Sequence, residues 1–208
     1  MHPYLTRLGV RPEVQAFFAP YDSDANGGLL FQQGDYVEHF GMAFHRVDAG
    51  GDCWMAGETN RVMTERVFIS SSVMDMIAFL HYGGHTISLW KQAVFIAVGV
   101  KPSIAGLSRI SGFADKPMTL LFPADGLGAI TDLKVAAAFR RVPAAAFLAE
   151  KERLKISFRA KVYEFEQRGF SLSAFEKASG YRFNVTTRKP RHGASFLDQL
   201  KAGAFPSY

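Results

Sequence analysis

Two stretches constrain the fold more than anything else in the chain. Val67-Phe68-Ile69 is a short β-branched and aromatic run that meets Ser70-Ser71-Ser72 and then an apolar segment at 73–80, closed by Gly83-Gly84. Residues 118–122 are apolar apart from Thr119 and are met by Pro123-Ala124-Asp125-Gly126-Leu127-Gly128 and a second helical segment at 129–139. A buried strand, a tight turn and a helix, given twice, indicate an α/β core whose strands are at least partly parallel. Chemistry in such sheets gathers beyond the strand C-termini, so the turns at 70–72 and 123–128 are expected on one rim. Between the two units the pattern predicts strands at 86–89 and 93–99 and a helix near 102–109.

The flanking segments have a different character. Before the core, Tyr4, Leu5 and Leu8 make one short helical face, and Pro12 opens a second helix carrying Val14, Phe17 and Phe18. The turn-rich residues 20–30 lead to strands expected at 28–32, 36–40, 42–47 and 53–56, which read as a two-helix cap on a β meander. After the core, the stretch AEKERLK at 149–155 favours helix, and a helix through about 152 is expected. A strand is then expected, with Leu154, Ile156, Phe158, Ala160 and Val162 on one side and Lys155, Ser157, Arg159 and Lys161 on the other. A helical stripe through Leu154, Phe158, Val162 and Phe165 is the competing reading. Ser173 with Glu176 forms a capping-box pattern for a helix stopping at Gly180. A strand at 181–185, a basic loop at 188–193 and a last helix at 196–202 complete the expectation. The chain of 208 residues thus divides into an N-terminal region (1–60), an α/β domain (61–140) and a C-terminal extension (141–208).

Charge follows the same division. Residues 1–138 hold 10 Lys+Arg against 13 Asp+Glu, and residues 139–208 hold 14 against 6, so the net +5 is −3 beside +8. A basic part next to a slightly acidic one suits attraction to a polyanion. The single cysteine, Cys53, excludes an internal disulfide and any multi-thiolate zinc site. The opening residues lack a secretory pattern, and 67–100 is too polar for a membrane span. A soluble cytoplasmic protein with no membrane partner is the expectation.

The two strand–turn–helix units resemble the Toprim (topoisomerase–primase) domain in its phage and mobile-element primase form. The first family motif is a hydrophobic strand, Glu-Gly, two residues and Asp; here Asp75 matches, while Ser71 and Ser72 stand at the Glu and Gly positions. The second is a hydrophobic strand, Asp-x-Asp, two residues and Gly; Asp125 and Gly128 match, and Pro123 replaces the first Asp. Ala97-Val98-Gly99 is similar to the strand-plus-Gly turn between the motifs. Residues 4–17 resemble the phrase that precedes such domains, and Phe196-Leu197-Asp198-Gln199-Leu200 faintly resembles one that follows them. The resemblance implies a Toprim-like, partly parallel sheet flanked by helices, with a small helix and β-meander region before it and a basic α+β extension after it.

In the family the Glu serves proton transfer and the Asp pair helps to hold Mg²⁺. Mg²⁺ takes oxygen ligands in tight octahedral geometry, often one or two carboxylates with waters and phosphate oxygens. With Ser71 and Pro123 at two of those positions, the residual motif is Ser71, Asp75, Asp125 and Gly128, and Asp125 alone stands as a weak metal position. The expectation is a catalytically degenerate protein without a resident cofactor. It would bind single-stranded or duplex DNA in replication or mobilisation of a DNA element, alongside replication or mobilisation proteins. Arg153, Lys155, Arg159, Lys161, Arg188, Lys189 and Arg191 are the candidate phosphate contacts. Phe158, Tyr163 and Tyr181 lie among them as candidate stacking surfaces. Two alternatives remain open: a metal-dependent phosphotransfer or nuclease enzyme using Asp75 and Asp125, and a protein-interaction module. Ser72 and Asp125 also read as plain helix N-caps, and a helix N-terminus with three hydroxyls suits weak phosphate binding. His81 and His85 have metal-like spacing across a glycine break.

Overall fold

A computed structural model describes residues 1–47, 51–83, 90–149 and 153–204. The centre is a five-stranded mixed sheet in the order β12-β8-β6-β7-β5. Strands β6 (Arg66–Ser70), β7 (Ala93–Ala97), β8 (Met118–Leu120) and β12 (Thr186–Thr187) are parallel, and β5 (Trp54–Gly57) closes one edge antiparallel to β7. The period of two in β7 explains why the sheet carries a core on each face. Val94 and Ile96 face one core, and Ala93, Phe95 and Ala97 face the other.

The first core is closed by helices α4 (Ile104–Ile110) and α5 (Gly126–Phe139) and by a three-stranded antiparallel sheet of β9 (Ala144–Ala149), β10 (Arg153–Phe158) and β11 (Lys161–Glu166). Helix α6 (Leu172–Ser179) packs there through Leu172 and Phe175. The second core holds helix α3 (Val73–Tyr82), whose residues 73–80 are all buried; an all-round apolar helix must be covered on every side. The N-terminal helices α1 (Pro3–Arg7) and α2 (Pro12–Phe18), the meander β1 (Asp22–Ser23), β2 (Leu29–Gln33), β3 (Tyr36–Phe40) and β4 (His45–Val47), and the last helix α7 (Phe196–Ala204) supply that cover. Segment 141–208 therefore contributes to both cores, its hairpin on one face and α7 on the other.

Several local expectations are corrected. The fourth predicted strand of the N-terminal block, β5, leaves the meander and joins the central sheet, because its alternation matches both cores: Cys53 and Met55 pack into one and Trp54 and Ala56 into the other. Residues 144–149 are a strand rather than a helix, since antiparallel pairing with β10 from Ala144↔Phe158 to Arg153↔Ala149 overrides alanine's helical preference. The predicted strand at 154–162 is interrupted by a two-residue turn in which Arg159 and Ala160 both take positive φ, so Leu154, Ile156 and Phe158 are buried but Val162 is exposed on β11. Ser171, not Ser173, caps α6 by accepting from the Ala174 amide, and Glu176 instead accepts from the Phe183 amide. Residues 181–185 form no strand; Phe183 turns into the core and Thr186 begins the pairing. The predicted strand at 86–89 and His85 lie outside the described residues.

Candidate functional site

Because β6 and β8 are parallel neighbours, their turns leave the sheet at the same edge, as the sequence pattern predicts. The rim consists of residues 70–75, 121–128 and a crossing segment, 188–197, tied to it by backbone bonds. Arg188 N–H donates to the Leu120 carbonyl (2.9 Å) and Ala124 N–H to the Ala194 carbonyl (2.8 Å).

Each acidic side chain around this rim already has a protein partner. Ser72 caps α3: its Oγ accepts from the Asp75 amide (3.0 Å) and donates to Asp75 Oδ2 (2.8 Å). Asp75 Oδ1 accepts the Leu197 amide at the start of α7 (2.9 Å). Asp75 is 5% exposed, and burial raises its pKa against the lowering effect of that amide and of Ser72. Asp125 is the N-cap of α5, its Oδ1 accepting from the Gly128 amide at 2.7 Å. Gly128 is needed for packing: a Cβ there would run into the Pro123 carbonyl. Ser70 donates to the Ser72 carbonyl and accepts from its amide, holding the turn at 70–72 in place.

The N-terminus of α3 does not present open amides to a phosphate, which corrects that expectation. Glu38, from the middle of β3 and fully buried, occupies it. Val73 N–H and Met74 N–H donate to Glu38 Oε2 (2.6 Å) and Oε1 (3.1 Å), Tyr36 Oη–H donates to Oε2 (2.6 Å), and His45 Nε2 lies 2.9 Å from Oε1. The carboxylate complements the positive end of the helix. Burial and the neighbouring Glu38 push the Tyr36 hydroxyl well above its ordinary pKa. Sequence reasoning missed Glu38, although a signal existed: in Tyr36-Val37-Glu38-His39-Phe40 the charged residue falls at an inward position of an alternating strand.

Lys189 is also reassigned. Its Nζ sits 2.6 Å from Asp132 Oδ2 and 3.0 Å from each of the Phe122 and Pro123 carbonyls, so it serves the rim internally rather than a solvated basic face. Asp132, on α5, is 1% exposed; burial pushes its pKa up to about 6 despite the ammonium beside it, and its Oδ1 has no hydrogen-bond partner among the described residues.

The hairpin does not present the expected basic face either. Arg153 pairs across the strands with Glu166 and Lys155 with Glu164, and both cations reach Glu164 (3.4 and 3.1 Å), so the outward surface alternates in sign. Phe158 is buried, and the Arg159 guanidinium covers the Tyr181 ring at 4.4 Å. Tyr163 packs against Phe175 in the first core. Lys161, Arg188 and Arg191 are exposed. Exposed Arg168, which sequence reasoning did not single out, lines a cavity of about 410 Å³ beside Asp125 and Gly126. Arg168 thus stands beside the rim, and Arg188 and Arg191 belong to the crossing segment, with Arg188 lining a separate cavity beside Arg66, Phe68 and Trp90.

The donor set does not fit Mg²⁺ at the motif positions. Ser71 and Pro123 bring no carboxylate, Asp125 is spent on a helix cap, and Asp75 is closed over by α7. Among the described residues, no group of three or more His, Cys, Asp or Glu side chains is arranged to hold a metal ion, and no helix is long and apolar enough to cross a membrane. His81 Nδ1 instead accepts the Arg11 amide (3.3 Å). No family model, curated protein or solved structure matches this chain.

Proposed function

We propose that this chain is a catalytically degenerate Toprim-like protein, acting in the cytoplasm, that binds nucleic acid at the rim of its central sheet. The observation that carries the reading is the rim's inverted electrostatics. The carboxylates at the two motif turns are consumed by internal donors, while exposed Arg168 stands beside Asp125 and exposed Arg188 and Arg191 lie on the segment that crosses the rim. Two motif strands paired in parallel, with both turns on one rim, agree with the resemblance. Phosphates recognised there would be held by guanidinium groups, which engage phosphate oxygens in a planar fork, and not through a metal bridge. Replication or mobilisation of a DNA element is the setting the resemblance implies.

The test is a salt series of binding to single-stranded DNA, duplex DNA and RNA. Each phosphate contact contributes about 0.7–0.9 to the slope of log K against log salt. The R168A/R188A/R191A variant should lower that slope by about 2–3. No binding, or binding with an unchanged slope in the variant, would refute the reading.

A further inference from the structure

The second core lies over β6 and β7, where Phe68, Ala93, Phe95 and Ala97 face it. The next two strands offer that same face Thr119, which is half-buried, and Thr186, which is exposed. Where the apolar cover ends, a cavity of about 160 Å³ opens on the sheet. Phe68 and the two threonines form its floor, Phe79 and Trp90 stand as an aromatic wall, and Arg66 and Arg188 complete the lining. No carboxylate lines it among the described residues.

Sheet register explains how these groups come together. Parallel pairing sets Phe68, Thr119 and Thr186 side by side on β6, β8 and β12. Residues two apart in a strand share a face, so Arg66 leaves that face one step before the row and Arg188 one step after it. Arg188 N–H donates to the Leu120 carbonyl (2.9 Å), which carries the parallel ladder past Thr187. At about 3.3 Å per residue and about 4.8 Å per strand, the two arginine Cα atoms stand about 13 Å apart along the strands and about 10 Å across them. Their side chains therefore enter the cavity from opposite corners of the row. Neither guanidinium, and neither threonine hydroxyl, has a hydrogen-bond or ion-pair partner among the described residues.

We infer that this cavity binds a small organic dianion, a dicarboxylate of four or five carbons, with one carboxylate on Arg66 and the other on Arg188. Each guanidinium presents a planar fork that matches a carboxylate. The carbon chain between the two ends lies over the threonine hydroxyls and against the Phe68 and Trp90 rings. A monocarboxylate engages one arginine only, and inorganic phosphate is too short to span both and leaves the rings bare. A nucleotide is too large, since the volume falls below the roughly 300–1,000 Å³ of sites for drug-sized ligands. Arg188 also belongs to the segment that crosses the rim, but the inference does not rest on nucleic-acid binding there.

The experiment is isothermal titration of the full chain, at constant ionic strength, with acetate, malonate, succinate, glutarate, adipate and inorganic phosphate. Succinate or glutarate should bind at least tenfold more tightly than acetate or phosphate, and affinity should fall again at adipate. Arg66→Ala and Arg188→Ala remove exposed side chains that pack nothing into either core. Each should weaken succinate binding by about 10- to 100-fold, the loss of one charge-assisted pair. Thr119→Val keeps the shape of the floor and should weaken it by about 2- to 10-fold. Arg182→Ala, which removes an exposed cation beside Glu176, should leave it unchanged. No dicarboxylate binding, acetate or phosphate binding as tightly as succinate, or succinate affinity unchanged in both arginine variants overturns the inference. Succinate affinity and the salt slope of DNA binding are separate readouts, so failure at the rim and failure here are distinguishable.

Discussion

Removing the ammonium that bridges α5 to the crossing segment tests the account of the rim most directly. Lys189 Nζ is 2.6 Å from Asp132 Oδ2; at an effective dielectric near 20 the gross attraction is about 6 kcal/mol. Desolvation of both groups offsets much of this, and breaking a buried pair from one side typically costs ~3–5 kcal/mol. Because the Lys189 side chain is 31% exposed, the lower end applies, so Lys189→Met should lose about 2–3 kcal/mol at pH 8. The loss should shrink at pH 5. Burial already holds the Asp132 carboxyl at about 6, and without the ammonium its pKa climbs further, so below that value the group carries its own proton. Urea unfolding of both forms at the two pH values reads this directly. The native state keeps the Asp132 proton to a higher pH than the unfolded chain does. Stability should therefore fall as pH rises from about 4 to about 6, by roughly 3 kcal/mol from this group, and level off above. Asp132→Asn should remove that slope, and K189M/D132N should recover most of the loss at pH 8. A Lys189→Met loss below about 1 kcal/mol at pH 8, or an equal loss at both pH values, would refute the reasoning.

Two further outcomes follow from the same geometry. Glu38→Ala strips the partner from two α3 amides and the Tyr36 hydroxyl and should cost about 3–5 kcal/mol in urea unfolding, whereas Glu38→Gln, which keeps an acceptor and loses the charge, should cost only about 1–2; equal losses would mean that the charge alone carries the contact and refute this division. Gly128→Ala forces the first turn of α5 away from Pro123 and should destabilise by about 1–3 kcal/mol, detectable as a lowered unfolding midpoint, and a neutral result would contradict the close approach.

Much of the architecture was legible because it is written in local patterns. The two strand–turn–helix units and the Ser72 and Asp125 caps depend on residues within a few positions of one another, and the shared rim follows once two such units lie parallel in one sheet. What escaped depends on partners distant in sequence. The strand at 144–149 exists only because β10 pairs with it, and Ala-rich composition alone points the other way. Charge totals misled for the same reason. Arg140 adds to the +8 yet donates to the carbonyls of Ala114, Phe183 and Asn184, and Lys189 faces Asp132, so neither is a solvated cation waiting for an anion. Glu38 was hidden by the opposite fault: it serves a helix 35 residues further on, and only its inward place in β3 marked it.

The bond from Leu197 N–H to Asp75 spans 122 residues. During synthesis, α3 emerges early as a helix that is apolar all round, and neither the sheet nor α7 is yet available to cover it. Its buried carboxyl group waits for an amide made 122 residues later. Contacts of such separation are slow to form and leave apolar surface open in the meantime. A nascent chain stalled before residue 197 should therefore be a target for chaperones and proteases, while one released beyond α7 should not.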